Sequence, residues 1–159
     1  MEIITEGLAK IRISSEKKIS RKLEVFYNPV MKLNRDISIH LLNSVPDEEM
    51  QIADPLAGSG VRGIRFLKEL KKNKIKNITF NDYKTSNYIR ENLELNKIKN
   101  IEIYGKDANL FLHESTGFDY IDIDPFGTPN PFLDSSILRL SRKGILALTA
   151  TDTSALSGS

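Results

Sequence analysis

The sequence predicts an α/β fold, a parallel sheet with right-handed helical crossovers preceded by a small antiparallel hairpin. Three observations predict it. From Gln51 onward, short β-prone runs alternate with segments of helical period. A glycine-bearing turn, Gly58-Ser59-Gly60-Val61-Arg62-Gly63, follows the first of these runs and opens a helix. Asp54, Asp82, Asp107 and Asp124 each fall at or just beyond the end of a strand, which in such sheets is the end that holds ligands.

The elements follow in order. Met1–Ile13 reads as two strands about a turn at Gly7, the second over Lys10–Ile13. Ser14–Arg21 is polar and reads as a loop, and Asn28-Pro29 marks a boundary. Over Val30–Leu42, Val30, Leu33, Ile37 and Leu41 keep a helical period and are expected to form the packing stripe; Pro46-Asp47 ends that unit. Strands are then expected at Gln51–Asp54, Asn77–Phe80, Ile101–Tyr104, Phe118–Ile123 and Gly144–Leu148. Helices are expected at Val61–Leu70, Lys84–Leu95, Asp107–His113 and Phe132–Leu140. The organisation this suggests is a hairpin and helix over residues 1–45 and a ligand-binding sheet over residues 46–159.

Composition narrows the classes of function. With 159 residues, 40% hydrophobic and 28% charged, the chain has enough length for one domain with a core. No run approaches the ~20 apolar residues of a membrane span. Charged residues within the first thirteen positions argue against a signal peptide, so a cytoplasmic location is expected. There is no cysteine, which removes disulfides and thiolate metal sites, and His40 and His113 alone do not make a zinc site. The net charge is only +2. Two basic runs stand out, Lys68, Lys71, Lys72, Lys74 and Lys76, and Lys10, Arg12, Lys17, Lys18, Arg21 and Lys22. Such runs can hold phosphates, but a solvated surface explains them as well.

Gly58, Gly60 and Gly63 match the G-x-G-x-x-G pattern, which lets the backbone approach a ligand. Asp82 lies 19 residues beyond Gly63, a spacing that suits a carboxylate accepting from both ribose hydroxyls. Together these point to a nucleoside cofactor, either a dinucleotide or S-adenosylmethionine. Asp54 favours the second, because an acid beneath the turn is awkward beside a pyrophosphate and harmless beside a sulfonium. Asp107-Ala108 is placed to meet an adenine amino group, and Asp107 equally suits a helix N-cap.

The segment Asp122-Ile123-Asp124-Pro125-Phe126-Gly127 suits one chemical task. An exocyclic base amine is a poor nucleophile because its lone pair is delocalised into the ring. Asp124 and the Pro125 carbonyl can accept its two N–H groups and aim the lone pair at a methyl donor. Asp124 can also take the released proton. Phe126 offers a stacking face, worth ~1–3 kcal/mol per base in comparable contacts. Asp122 shares the strand face of Asp124.

These residues resemble the tRNA (guanine-26-N2) dimethyltransferase family. The similar segments are Glu6–Ile11, Val25–Pro29, Leu33–Asp36, Gly60–Phe66, Asn81-Asp82, Asp122–Gly127 and Leu148–Thr153. The resemblance implies a Rossmann-like class I methyltransferase sheet, S-adenosyl-L-methionine as cofactor, tRNA as partner and transfer of one or two methyl groups to a guanine N2. It implies Asp124 as the catalytic acid, with Arg35, Arg62, Asp82, Asp107 and Ala108 lining the cofactor site. A guanidinium fork at Arg35 suits the cofactor carboxylate. Whether Arg62 or Arg65 faces the ligand is left open. Phe26 is placed to face Phe126 across a guanine taken out of its stack. Family members are longer and carry two further strands and a C-terminal domain, so the chain resembles a shortened form.

Two other classes remain in view. A nicotinamide oxidoreductase would use the glycine turn and Asp82 but gives no role to Asp124–Gly127. A non-enzymatic RNA-binding module would need no cofactor pocket, and the low net charge speaks against it. Methylation of another RNA or of a protein is separated from these only by the resemblance.

Overall fold

A computed structural model describes residues 1–15 and 27–152 of the chain. Phe26 and the basic residues Lys17, Lys18, Arg21 and Lys22 lie outside the described residues. The chain opens with an antiparallel hairpin, β1 (Glu2–Glu6) and β2 (Ala9–Ile13), turning at Gly7. A 3-10 turn at Pro29–Met31, capped by the Asn28 side chain, leads into α1 (Lys32–Ser44). Five parallel strands follow, β3 (Met50–Asp54), β4 (Ile75–Asn81), β5 (Glu102–Tyr104), β6 (Phe118–Ile123) and β7 (Leu140–Leu148). Between them run α2 (Val61–Glu69), α3 (Ser86–Leu95), α4 (Ala108–Glu114) and α5 (Leu133–Arg139).

The strand order is β5-β4-β3-β6-β7. The chain winds outward from β3 to β5, then returns to β6 beside β3, so the order reverses between β3 and β6. A crevice opens above such a reversal, outside the carboxyl ends of the strands. The expected α/β architecture is therefore present.

Period-2 alternation sorts the core. Ile52 and Tyr120 face the hairpin and α1–α3, together with Ile64, Phe66, Phe80, Ile89, Ile11 and Leu42. Ala53 and Ile121 face α4 on the opposite side, with Phe111, Leu112, Phe118 and Ile123, and Phe132 and Leu140 pack against this cluster. The N-terminal hairpin and α1 thus share one apolar core with the sheet. On α2, Gly63 lets the helix lie close against β4; a Cβ there would stand 2.4 Å from the Phe80 ring.

Two asparagines one helical turn apart on α3 dock the hairpin. Asn92 and Asn96 accept from the Arg12 and Lys10 amides at 2.7 and 2.9 Å and donate back to the carbonyls of the same residues. Their amides extend the hydrogen-bond ladder of β2 on the edge away from β1.

The structure corrects two expectations. The stripe Val30, Leu33, Ile37 and Leu41 is exposed, with Val30 78% and Leu33 67% accessible. Helix α1 instead buries Arg35, Ser38, Ile39 and Leu42. The inward face, at positions 35, 38, 39 and 42, combines the core residues Ile39 and Leu42 with the ion-paired Arg35, and a purely apolar count over the helix does not register the last of these. Strand β7 begins at Leu140 rather than Gly144 because residues 141–144 form an irregularity in the pairing of β6 with β7, with Lys143 at a positive φ. The first basic run is partly structural. Lys74 is buried and donates to the carbonyls of Val45 and Asp47, and Lys71 donates to that of Asn43. No helix among the described residues is long and apolar enough to cross a membrane.

Candidate active site

The crevice holds two adjoining cavities. One, of about 240 Å³, is lined by Tyr27, Arg35, Asp54, Gly58, Ser59, Arg62 and Asp124, among others. Its neighbour, of about 450 Å³, is lined by Asp82, Tyr83, Thr85, Thr128 and Phe132, among others. Leu56, Gly58, Asp124, Pro125 and Phe126 line both. The glycine turn and the Asp124–Phe126 segment therefore meet across one continuous space. Asp107 and Ala108 line neither cavity. Asp107 caps α4, its carboxylate accepting from the Asn109 and Leu110 amides.

Positive φ at Gly58 and Gly60 bends the chain from β3 into α2. The Asp82 carboxylate ties this turn to the next strand end. It accepts from the Gly58 amide at 2.9 Å and from the Lys84 and Thr85 amides at 2.9 Å each. A carboxylate has about four acceptor positions, so capacity for a ligand hydroxyl remains. Thr85 donates to the Gly58 carbonyl at 2.6 Å and Asn92 to that of Ser59 at 2.8 Å. The backbone of the turn is held from α3.

Arg62 lies at the centre of the acidic end of the sheet. Its Nη2 meets Asp124 Oδ2 at 2.9 Å, its Nε meets Asp122 Oδ1 at 3.2 Å, and its Nη1 donates to Ser38 Oγ at 3.0 Å. Tyr120 donates to Asp122 Oδ2 at 2.6 Å. Asp122 and Asp124 therefore do share one face. Burial pushes the Asp122 carboxyl above the usual range against the pull of Arg62 and Tyr120. Asp124, whose side chain is 26% accessible, is the member that reaches the cavity.

Asp54 is buried beneath the turn. Burial, with nearby Asp122, pushes its carboxyl up to about 8, and Arg62 only partly offsets this. Its Oδ2 and the buried Ser59 Oγ have no hydrogen-bond partner among the described residues. Because the folded pKa is raised, the native chain keeps a proton that the unfolded chain releases above its ordinary value of 3.8. Stability from this group therefore falls as pH rises toward 8. Replacing Asp54 by Asn removes that contribution. Thermal unfolding without ligand is expected to give a shallower decline for Asp54→Asn than for the parent between pH 5 and 8. Parallel profiles would place the Asp54 proton elsewhere.

Arg35 and Arg65 go to a second charged cluster. Glu6, 2% exposed, accepts from Arg35 Nε at 2.7 Å and Nη2 at 2.5 Å, from Arg65 Nη1 at 2.9 Å and from the Tyr27 hydroxyl at 2.7 Å. Burial pushes its carboxyl up, but the bonds from Arg35 and Tyr27 outweigh this and hold it below the usual range. Arg65 also pairs with Asp36 at 2.7 Å and Glu69 at 2.8 Å. The open choice on α2 is thus resolved: Arg62 faces the crevice and Arg65 the hairpin. Arg35 lines the crevice while forked on Glu6.

Sequence reasoning gave no individual role to Glu6, Ser38, Ser59, Tyr120 or Thr151. Glu6 carried a signal, because it shares the inward parity of Ile4 and pairs in register with buried Ala9. Ser38 and Tyr120 carried none, being ordinary residues of a helix and a strand.

A parallel α/β sheet with a glycine turn, a carboxylate at the second strand end and an acid-proline-aromatic segment at the fourth defines a Rossmann-like class I methyltransferase fold. The chain belongs to the N2,N2-dimethylguanosine tRNA methyltransferase family, whose sequence model matches residues 7–159. It is 45% identical over 166 residues to a tRNA (guanine(26)-N(2))-dimethyltransferase of Methanococcus maripaludis, covering 99% of this chain and 44% of that protein. It is 45% identical over 168 residues to a tRNA (guanine(26)-N(2)/guanine(27)-N(2))-dimethyltransferase of Aquifex aeolicus, covering 99% and 42%. Among solved structures it is similar to Trm1 from Pyrococcus horikoshii in complex with S-adenosyl-L-methionine. The TM-score is 0.78 at 34% identity, over 92% of this chain and 42% of that one. The chain thus spans less than half the length of these relatives.

Proposed function

We propose that the chain binds S-adenosyl-L-methionine in the crevice and directs its methyl group to the exocyclic N2 of guanine 26 in tRNA, giving mono- and then dimethylguanine. The observation that carries this is Asp124, held by Arg62 at the end of β6 and lining the same cavity as Gly58. The residues present fit the cofactor. An acidic strand end suits a cation, the glycine turn admits a ligand close to its backbone, and Asp54 Oδ2 and Ser59 Oγ are buried polar atoms awaiting a partner. Asp82, Arg62 and Arg35 would hold the cofactor, and Asp107 and Ala108, just beyond β5, would meet its adenine end.

When bound, the cofactor supplies an electrophilic methyl group and takes up the electron pair of the broken C–S bond. Asp124 accepts one N2–H of the guanine and the Pro125 carbonyl accepts the other, which leaves the nitrogen lone pair directed at the methyl carbon. The proton lost from N2 passes to the Asp124 carboxylate. Phe126, with Phe26 assigned opposite it, stacks on the extruded base. Residues 1–45 then contribute Arg35 and residues 46–159 the cofactor site. An archaeal-type enzyme of this kind would work in the cytoplasm, and one of eukaryotic type in the nucleus or mitochondria as well.

The chain, alone and joined to the C-terminal half of the Methanococcus maripaludis relative, is incubated with labelled methyl donor and tRNA transcripts bearing guanine or adenine at position 26. Label in N2-methylguanine of the guanine transcript alone is expected. Equal labelling of both transcripts, with none at guanine 27, would contradict the assignment. A second reading, transfer to guanine 27, is favoured by the name of the Aquifex aeolicus relative, and the same digest separates it.

A further inference from the structure

The segment Leu148–Thr153 has no part in the chemistry above, yet its described residues close against the Asp124–Gly127 loop. Thr149 donates its amide to the Ile123 carbonyl at 2.9 Å, carrying the β6–β7 ladder beyond the last strand residues. Thr151 then grips Gly127 from both sides. Its hydroxyl accepts from the Gly127 amide at 2.9 Å, and its own amide donates to the Gly127 carbonyl at 2.9 Å. The Asp152 amide reaches the same carbonyl at 3.2 Å. Gly127 has a φ of +97°, a backbone state that a lone turn visits without holding. Thr151 also lines the smaller cavity beside Asp124, Pro125 and Phe126.

We propose that Thr151 is a positioning residue for the target base, acting through Gly127 to fix Phe126 and the Pro125 carbonyl. Fixing both peptide planes that flank Gly127 sets the torsions on which the Phe126 ring hangs. The Phe126 side chain, 40% exposed, is then presented to the base in one orientation. The cofactor contacts proposed above run through Asp82, Gly58 and Arg62, whereas the Thr151 hydroxyl is taken up by the Gly127 amide. This assignment rests on the proposed transfer to a base amine.

The test uses Thr151→Val, which keeps the branched shape and removes only the hydroxyl, and Thr151→Ser, which restores the acceptor. Amide exchange at Gly127 is measured in the chain itself. Methyl transfer to the guanine-26 transcript is measured in the joined form, and S-adenosylhomocysteine affinity in both. In Thr151→Val the Gly127 amide should exchange at least about tenfold faster and kcat should fall about tenfold. S-adenosylhomocysteine affinity and the KM for tRNA should stay within about twofold, and Thr151→Ser should recover exchange and rate. Unchanged Gly127 exchange in Thr151→Val overturns the proposal. So does a Ser variant no better than Val, or loss of S-adenosylhomocysteine binding in step with rate. If Asp124→Asn transfers normally, the base-amine chemistry fails instead, and Gly127 exchange still decides whether the clamp exists.

Discussion

Asp124→Asn in the joined form is expected to lower methyl transfer by about 10²–10⁴-fold while S-adenosylhomocysteine binds within about twofold of the parent. The amide keeps the size of the carboxylate and an oxygen toward the cavity, but it cannot take the N2 proton. Arg62 keeps Asp122 at 3.2 Å and Ser38 at 3.0 Å, so the variant should fold with near-parental stability. Steady-state transfer and calorimetric titration on one preparation check both halves. Parental transfer by Asp124→Asn would remove the acid from the mechanism, whereas loss of both transfer and S-adenosylhomocysteine binding would make it a cofactor-site residue.

Arg62→Leu is expected to destabilise the fold by about 3–5 kcal/mol near pH 8, a large part of a domain's usual ~5–15 kcal/mol. The substitution leaves Asp122 and Asp54 buried beside Asp124 without the guanidinium that pairs them, Arg35 alone still drawing on Asp122, and it removes one of the partners of Ser38 Oγ. The carboxyls can respond by holding protons. Burial already raises Asp122 and Asp54, and removing the guanidinium raises them further. The folded variant then binds more protons than the unfolded chain above the ordinary carboxylate range, so its stability falls with rising pH. Urea unfolding at pH 5.5 and pH 8 should show a deficit that grows with pH. Arg62→Lys, which keeps the charge and loses the fork, should lie between parent and Arg62→Leu. A Leu variant as stable as the parent at pH 8 would show that the acids are not held by Arg62.

Much of this site was legible before any coordinates. Strand ends at Asp54, Asp82 and Asp124 followed from alternation and punctuation, and a parallel sheet places such positions together at one edge. The hairpin was legible from Gly7 and its β-prone flanks. What escaped was whatever depended on pairing between distant residues. The apolar stripe of α1 points outward because the buried face joins Ile39 and Leu42 to Arg35, which pairs with Glu6 29 positions earlier, and an ion pair has no period. Arg62 and Arg65 share a helix turn and were not separable until Glu6 and Asp36 claimed one and Asp122 and Asp124 the other. Thr151 falls in the Leu148–Thr153 segment of the family resemblance, but its role depends on the return of β7 beside β6. Asp107 showed both meanings in the sequence, and the structure displays its capping one.

The most direct measurement is a crystal structure of the chain with S-adenosylhomocysteine. Its ribose is expected against Asp82 and its sulfur on the side of the crevice facing Asp124, with room between them for one base nitrogen. Electron density for the ligand away from the Gly58–Gly60 turn, or with Asp124 on the far side of the adenine, would contradict the mechanism at its root.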